Sequence, residues 1–333
     1  MGIETIGKAI PQSQPQSQDQ SQDQFKTLEE LIDFIDFYII NKKKFKNLDY
    51  DRLSKCIIPL KKLNSLIGMD SVKNSILDQI LFYSQKLNTN EMMHTCLTGP
   101  PGVGKTTLGK ILAELYCSLG FLETDNFKVV SKHDLVAGYI GQTAIKTNKV
   151  LKNSLGGVLF IDEAYSLGNS TDGDDSYSKE CIDTINRFLS ENTSNFIMII
   201  AGYQDELDRC FFSLNKGLRR RFPWVYEIKN YNAKNLKDIF TYQVNESDWV
   251  FDSDFDFKGL ELLFETNKDK FENGGGDTLI LFDKTKIVHS KRVFGKRKKF
   301  KKIITNLDLN SAFNIFKNNK KKVLNDPPYG MYT

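Results

Sequence analysis

The chain has 333 residues, a net charge of +4 and 40% apolar residues, enough for one large or two modest cores and too little charge bias to mark a nucleic-acid binder by itself. No apolar run approaches the roughly twenty residues of a membrane-spanning helix, and the N-terminus lacks the basic, apolar and small-residue pattern of a secretory leader, so a soluble intracellular protein without a membrane partner is expected. Five scattered cysteines, Cys56, Cys96, Cys117, Cys181 and Cys210, with only three histidines, argue against a disulfide framework or a zinc site.

Residues 1–24 are expected to form a disordered polar tail, because 11–24 hold only Gln, Ser, Asp and Pro and cannot bury enough apolar area to offset ordering. Residues 25–64 predict an N-terminal helical segment, with Leu31, Ile32, Phe34, Ile35 and Tyr38 at helical spacing. Packing is its expected role, with partner docking as the lesser alternative. Residues 65–230 predict an α/β domain. Ile67-Gly68-Met69-Asp70 opens a helix over 71–87, and from residue 93 short apolar strands alternate with helical stretches, the pattern of a parallel sheet covered by helices.

The first of those strands, 93–97, runs into Gly99-Pro100-Pro101-Gly102-Val103-Gly104-Lys105-Thr106, followed by Thr107 and a helix over 108–115. Glycines in such a loop turn backbone amides inward around a polyphosphate, and the following helix offers its positive end to the same charge. Lys105 adds a cation near the β and γ oxygens, and Thr106 offers a hydroxyl to Mg²⁺. A strand at 127–130 comes next. The apolar run Gly157 to Ile161 then ends in Asp162-Glu163, where Asp162 suits holding Mg²⁺ and Glu163 suits orienting water for attack on the γ-phosphate. Strands are expected at 196–200 and 224–228. Tyr231-Asn232 begins a different regime, a helix over 233–244 and an acidic, aromatic loop over 248–257, which predicts a helical lid domain over 231–320 and a C-terminal tail over 321–333.

Together the loop at 99–106, the Asp162-Glu163 strand, the stretch Asp134 to Ala144, Ile200-Ala201-Gly202-Tyr203 and Gly217-Leu218-Arg219-Arg220-Arg221-Phe222 resemble the AAA+ ATPases. The most similar branch holds the red-type rubisco activase and the stage V sporulation protein K-like ATPases. The Lys-, Asn-, Ile- and Phe-rich composition is also similar to that of homologues in giant DNA viruses, although base bias gives the same composition. The resemblance implies a P-loop NTPase fold, a doubly wound parallel α/β sheet with a C-terminal, mainly helical lid, using ATP and Mg²⁺. It implies that Ile67 and Gly68 lie beside the adenine and that Tyr139 and Ile140 form a pore loop gripping a polypeptide, with a buried tyrosine as the alternative. It implies an arginine reaching into a neighbouring subunit of a hexameric ring: Arg221 first, Arg220 second, with Arg219 a structural or second-finger residue. Tyr203 takes the place of a polar sensing residue, positioning water or packing.

One departure stands out: where the lid helix of the family presents a sensor arginine, this chain has Leu279 and Ile280, with Lys286 and Arg292 further along. The expected function is ATP-dependent remodelling of a protein substrate. The alternative is work on nucleic acid through the basic run 291–302, which also reads as a nuclear address or a solvated linker.

Overall fold

The computed structural model describes residues 25–41, 50–85, 87, 92–139, 141–168, 175–297 and 301–325. Three helices lead in, α1 (Leu28–Asn41), α2 (Tyr50–Ser65) and α3 (Asp70–Ser84). The core then alternates β1 (Thr95–Thr98), α4 (Lys105–Ser118), β2 (Phe127–Val130), α5 (Lys132–Leu135), α6 (Thr143–Lys152), β3 (Val158–Ile161), α7 (Asp175–Glu191), β4 (Ile197–Gly202), a short α8 (Gln204–Glu206) that widens into a π-helical turn over Leu207–Phe212, and β5 (Trp224–Glu227).

The five strands form one parallel sheet in the order β2-β3-β4-β1-β5. Parallel strands need crossovers on the faces, so both faces are covered and the inner strands read as continuous apolar runs. Alternate residues serve opposite layers. Leu97, Phe160 and Ile199 pack with Leu31, Leu60, Ile76 and Leu112 of the helices α1 to α4, whereas Cys96, Leu159 and Ile200 pack with Leu151, Ile182, Ile185 and Phe211 on the other side. The N-terminal helices are therefore part of the main core.

A separate apolar cluster builds the lid from α9 (Ala233–Glu246), α10 (Phe257–Thr266), α11 (Gly275–Arg292) and α12 (Asn306–Asn325), centred on Phe240, Phe264, Phe282 and Phe316. Two strands escape a pattern-based reading: β6 (Val250–Phe251), inside the expected loop 248–257, pairs parallel with β7 (Ile303–Ile304), just after the basic run, because two residues carry no periodicity. Helix α12 runs to Asn325, beyond the lid boundary expected at residue 320; its Lys- and Asn-rich end has no breaker until Pro327. The expected polar tail lies outside the described residues.

Candidate active site

Strand order decides which residues meet. Because β4 lies between β1 and β3, the segments leaving Thr98, Gly202 and Ile161 are neighbours at one edge of the sheet. The first is the glycine loop, where Gly99, Gly102 and Gly104 take φ of 148°, 69° and 88°, open to glycine with little strain. Buried Val103 anchors this loop, and α4 begins directly at Lys105, directing its positive end at the same place. Lys105 Nζ donates to Gly99 O at 2.9 Å and to Pro100 O at 2.7 Å. Burial pulls its pKa below the usual lysine value, opposed by the carboxylates of Asp162 and Glu163. Pro101 is half-buried, and Thr107 is exposed on the first turn of α4.

Thr106 Oγ1 donates to Asp162 Oδ2 at 3.4 Å, bringing together a hydroxyl and a carboxylate oxygen, the hard donors that Mg²⁺ prefers. Glu163 follows in the left-handed region, φ 49° and ψ 46°, with its amide donating to Asp162 Oδ1 at 3.1 Å. That conformation costs a side-chain-bearing residue about 1–2 kcal/mol, and strain of this kind concentrates at working sites. Here it leaves the Glu163 carboxylate exposed while Asp162 faces Thr106. Tyr203 follows β4, its ring centroid 5.7 Å from Lys105 Nζ and 5.8 Å from the ring of Tyr165. The Tyr165 phenol is pushed up to about 12 by burial and by the Glu163 carboxylate beside it. Tyr165 escaped the sequence reading, although its place two residues after Glu163 was a usable signal.

Ile67 is half-buried, and Gly68 and Met69 both take positive φ, 71° and 62°. A Cβ built on Gly104 would lie 3.3 Å from Met69 Cε, so this segment flanks the loop. Tyr231, read in the sequence only as a domain border, donates its hydroxyl to Val103 O at 2.8 Å.

The model of the AAA family, "ATPase family associated with various cellular activities", matches residues 95–230. A CfxQ-like protein of Acanthamoeba polyphaga mimivirus is 40% identical over 309 residues, spanning 92% of this chain and 76% of the relative. The chain belongs to the AAA ATPases. Stage V sporulation protein K of Bacillus subtilis is 34% identical over 64% of this chain and 69% of its own length, so the branch is that of the CfxQ-like and sporulation proteins. Among solved structures, the FIGL-1 AAA domain in complex with ADP matches with a TM-score of 0.55 and 16% identity, covering 80% of this chain and 90% of that one. As an AAA ATPase the chain is an ATP-hydrolysing enzyme.

Among the described residues, no hydrogen bond or ion pair joins the other residues singled out in the sequence to Lys105, Thr106, Asp162 or Glu163. Arg219 is ion-paired to Asp208 and covers the ring of Phe212, its guanidinium 4.7 Å from the centroid. Arg220 is exposed. Arg221 is half-buried, its Nε without a hydrogen-bond partner among the described residues, and it lies near His94. Burial, with Arg221 second, pushes the pKa of that histidine down to about 4. His94 precedes β1 and Arg221 precedes β5, which pairs with β1, so Arg221 lies toward the end of those strands away from the loop. Tyr139 is 74% exposed, and Cβ atoms on Gly138 and Gly141 would meet nothing within 4 Å, so the tip stands clear of the fold. Ile140 lies outside the described residues. The lid cations are engaged elsewhere: Lys286 pairs with Asp283 at 2.6 Å, and Arg292 pairs with buried Asp308 at 2.8 Å. Among the described residues no helix is long and apolar enough to cross a membrane.

Proposed function

We propose that this AAA ATPase assembles into a hexameric ring and uses Mg-ATP hydrolysis to move a polypeptide. The observation that carries the reading is Tyr139, a large aromatic held 74% exposed between two glycines with open space around them. An aromatic on a free tip grips a chain through shape and apolar area without demanding a sequence. The arginine positions support the ring. Trp224 of β5 pairs with Thr95 at the start of β1, and Arg221 lies just before β5, whereas Lys105 follows the far end of that strand. A four-residue strand spans about 13 Å, so Arg220 and Arg221 are suited to a neighbouring subunit's phosphates and not to their own.

In this reading Lys105 and the loop amides bind the phosphates, with Ile67 and Gly68 beside the base. Thr106 and Asp162 would hold Mg²⁺, which would supply charge neutralisation for the polyphosphate. Glu163 orients water and takes its proton, Tyr203 borders the reacting phosphate beside Lys105, and Arg221 or Arg220 stabilises charge from across the subunit boundary.

The test is Tyr139→Ala. Basal ATP turnover is expected to remain within about twofold, because no nucleotide contact is removed, while stimulation of turnover by an unfolded protein disappears. Stimulation that survives the substitution would overturn polypeptide gripping by Tyr139.

A further inference from the structure

Tyr231 and the first turn of α11 hold the outward side of the phosphate loop. The Tyr231 hydroxyl donates to Val103 O at 2.8 Å, and the Gly275 amide donates to Gly102 O at 3.1 Å. Two consecutive loop carbonyls thus accept hydrogen bonds from the lid side of the molecule. The fit is close: a Cβ on Gly102 would lie 1.9 Å from Asn273 O, one on Gly274 would lie 2.9 Å from the Tyr231 ring, and one on Gly68 would lie 3.4 Å from it. The 273–277 turn is itself fixed, with the Asn273 amide donating to buried Asp277 at 2.9 Å and Gln243 of α9 donating to Gly275 O at 2.9 Å. Tyr231 is half-buried, and burial raises its phenol pKa, so the hydroxyl remains a donor.

Peptide planarity gives these bonds a consequence for the nucleotide. In a trans peptide the carbonyl of one residue and the amide of the next are coplanar and point in opposite directions. Fixing Gly102 O therefore fixes the Val103 amide, and fixing Val103 O fixes the Gly104 amide, both in the stretch whose amides cradle phosphates in such loops. Any turn of those amides toward a phosphate also turns the carbonyls that the lid holds. At the positions where the family's lid presents a sensor arginine, Leu279 and Ile280 are 46% and 47% exposed and supply no charge.

We propose that Tyr231 is a positioning residue which, with the Gly275 amide, orients the Val103 and Gly104 amides and ties the lid to occupancy of the phosphate loop in place of a lid cation. This rests on the nucleotide site and not on polypeptide remodelling. Tyr231→Phe keeps the ring packed against Gly68 and Gly274 and removes one hydrogen bond. Losing such a bond is worth about a five- to tenfold weakening. The expected result is a rise of that size in both the Kd for a fluorescent ADP analogue and the KM for ATP, with kcat within about threefold. The nucleotide-induced change in amide hydrogen exchange at residues 273–277 should be lost as well. A purely structural role would instead lower the active fraction, reducing kcat at unchanged KM, and that outcome, or wild-type values throughout, overturns the proposal. The wild-type protein supplies a second measurement that needs no variant: if ADP binds without altering exchange at 273–277, the proposal fails while the nucleotide site stands. If no nucleotide binds at all, both fail.

Discussion

Thr106 and Asp162, 56 residues apart in the chain, meet at 3.4 Å where the helix after β1 and the end of β3 converge. This contact joins the phosphate loop to the carboxylate pair, and it separates the roles of the residues around it. In the proposed function Lys105 contacts phosphate in the ground state, so Lys105→Ala should abolish binding of a fluorescent nucleotide. Glu163 stands exposed one residue beyond Asp162 and in the proposed function orients water, so Glu163→Gln should bind nucleotide normally and lose about 10²- to 10⁴-fold in phosphate release. Normal turnover in Glu163→Gln would remove that residue from its role.

The arginines make a prediction about assembly. Arg221 lies near His94, at the end of β1 away from Lys105, which in the proposed ring suits it to the phosphates of another subunit. Arg221→Ala should bind ATP and lose about 10³-fold in turnover, the low end for such arginines. Mixing it with Lys105→Ala protein should restore partial activity, since mixed rings pair intact sites with intact arginines. Arg220→Ala in the same assay decides between neighbours, because Arg220 is the exposed member of the pair and Arg221 the half-buried one. Turnover independent of protein concentration in the wild type would exclude the shared site.

Where the sequence was readable, the physics was local. The glycine loop announces itself because a backbone with positive φ at Gly102 and Gly104 demands that residue, and β3 and β4 announce themselves because burial on both faces demands unbroken apolar runs. What stayed hidden depends on distant packing. Nothing near Tyr231 in the chain signals that its hydroxyl meets Val103, 128 residues away. Lys286 pairs with Asp283 only three residues before it, a local pair legible in the sequence, whereas the partner of Arg292 is distant. Asp308, which claims Arg292, is 16 residues downstream and is brought back by the turn into β7.

That aspartate supports a prediction about pH. Asp308 is 1% exposed; burial alone would raise its pKa, but hydrogen bonds from Arg292, the Thr305 amide, His289 and the Thr305 hydroxyl outweigh burial and hold it at about 2, below the ordinary 3.8. A carboxyl with a depressed folded pKa contributes stability that is fully present above its unfolded value and is lost as pH falls from about 3.8 toward 2. The shift corresponds to roughly 2 kcal/mol. Asp308→Asn should therefore unfold more easily at neutral pH, by about 2 kcal/mol, as half-buried Arg292 loses its carboxylate partner. It should also show a flatter loss of stability between pH 4 and pH 2 in denaturant titrations. An acid limb as steep as the wild type's would show that Asp308 is not the group that titrates there.

The basic run after α11 separates the two readings of function. Arg292 is committed to Asp308, and Lys302 lies 3.9 Å from Asp248, so part of the apparent cationic surface serves the lid itself. Lys291, Lys296, Arg297 and Lys301 are exposed, beside Phe294 at 91% exposure, while 298–300 lie outside the described residues. Reversing the charge of those four should leave ATP turnover and its stimulation by unfolded protein within about twofold, because none touches the nucleotide edge or the Tyr139 tip. A nucleic-acid motor would behave differently: DNA or RNA would stimulate turnover, the stimulation would fall steeply with added salt as phosphate contacts exchange with counterions, and the four reversals would abolish it. That pattern, with Tyr139→Ala leaving the stimulation intact, would move the working surface from the Tyr139 tip to the lid.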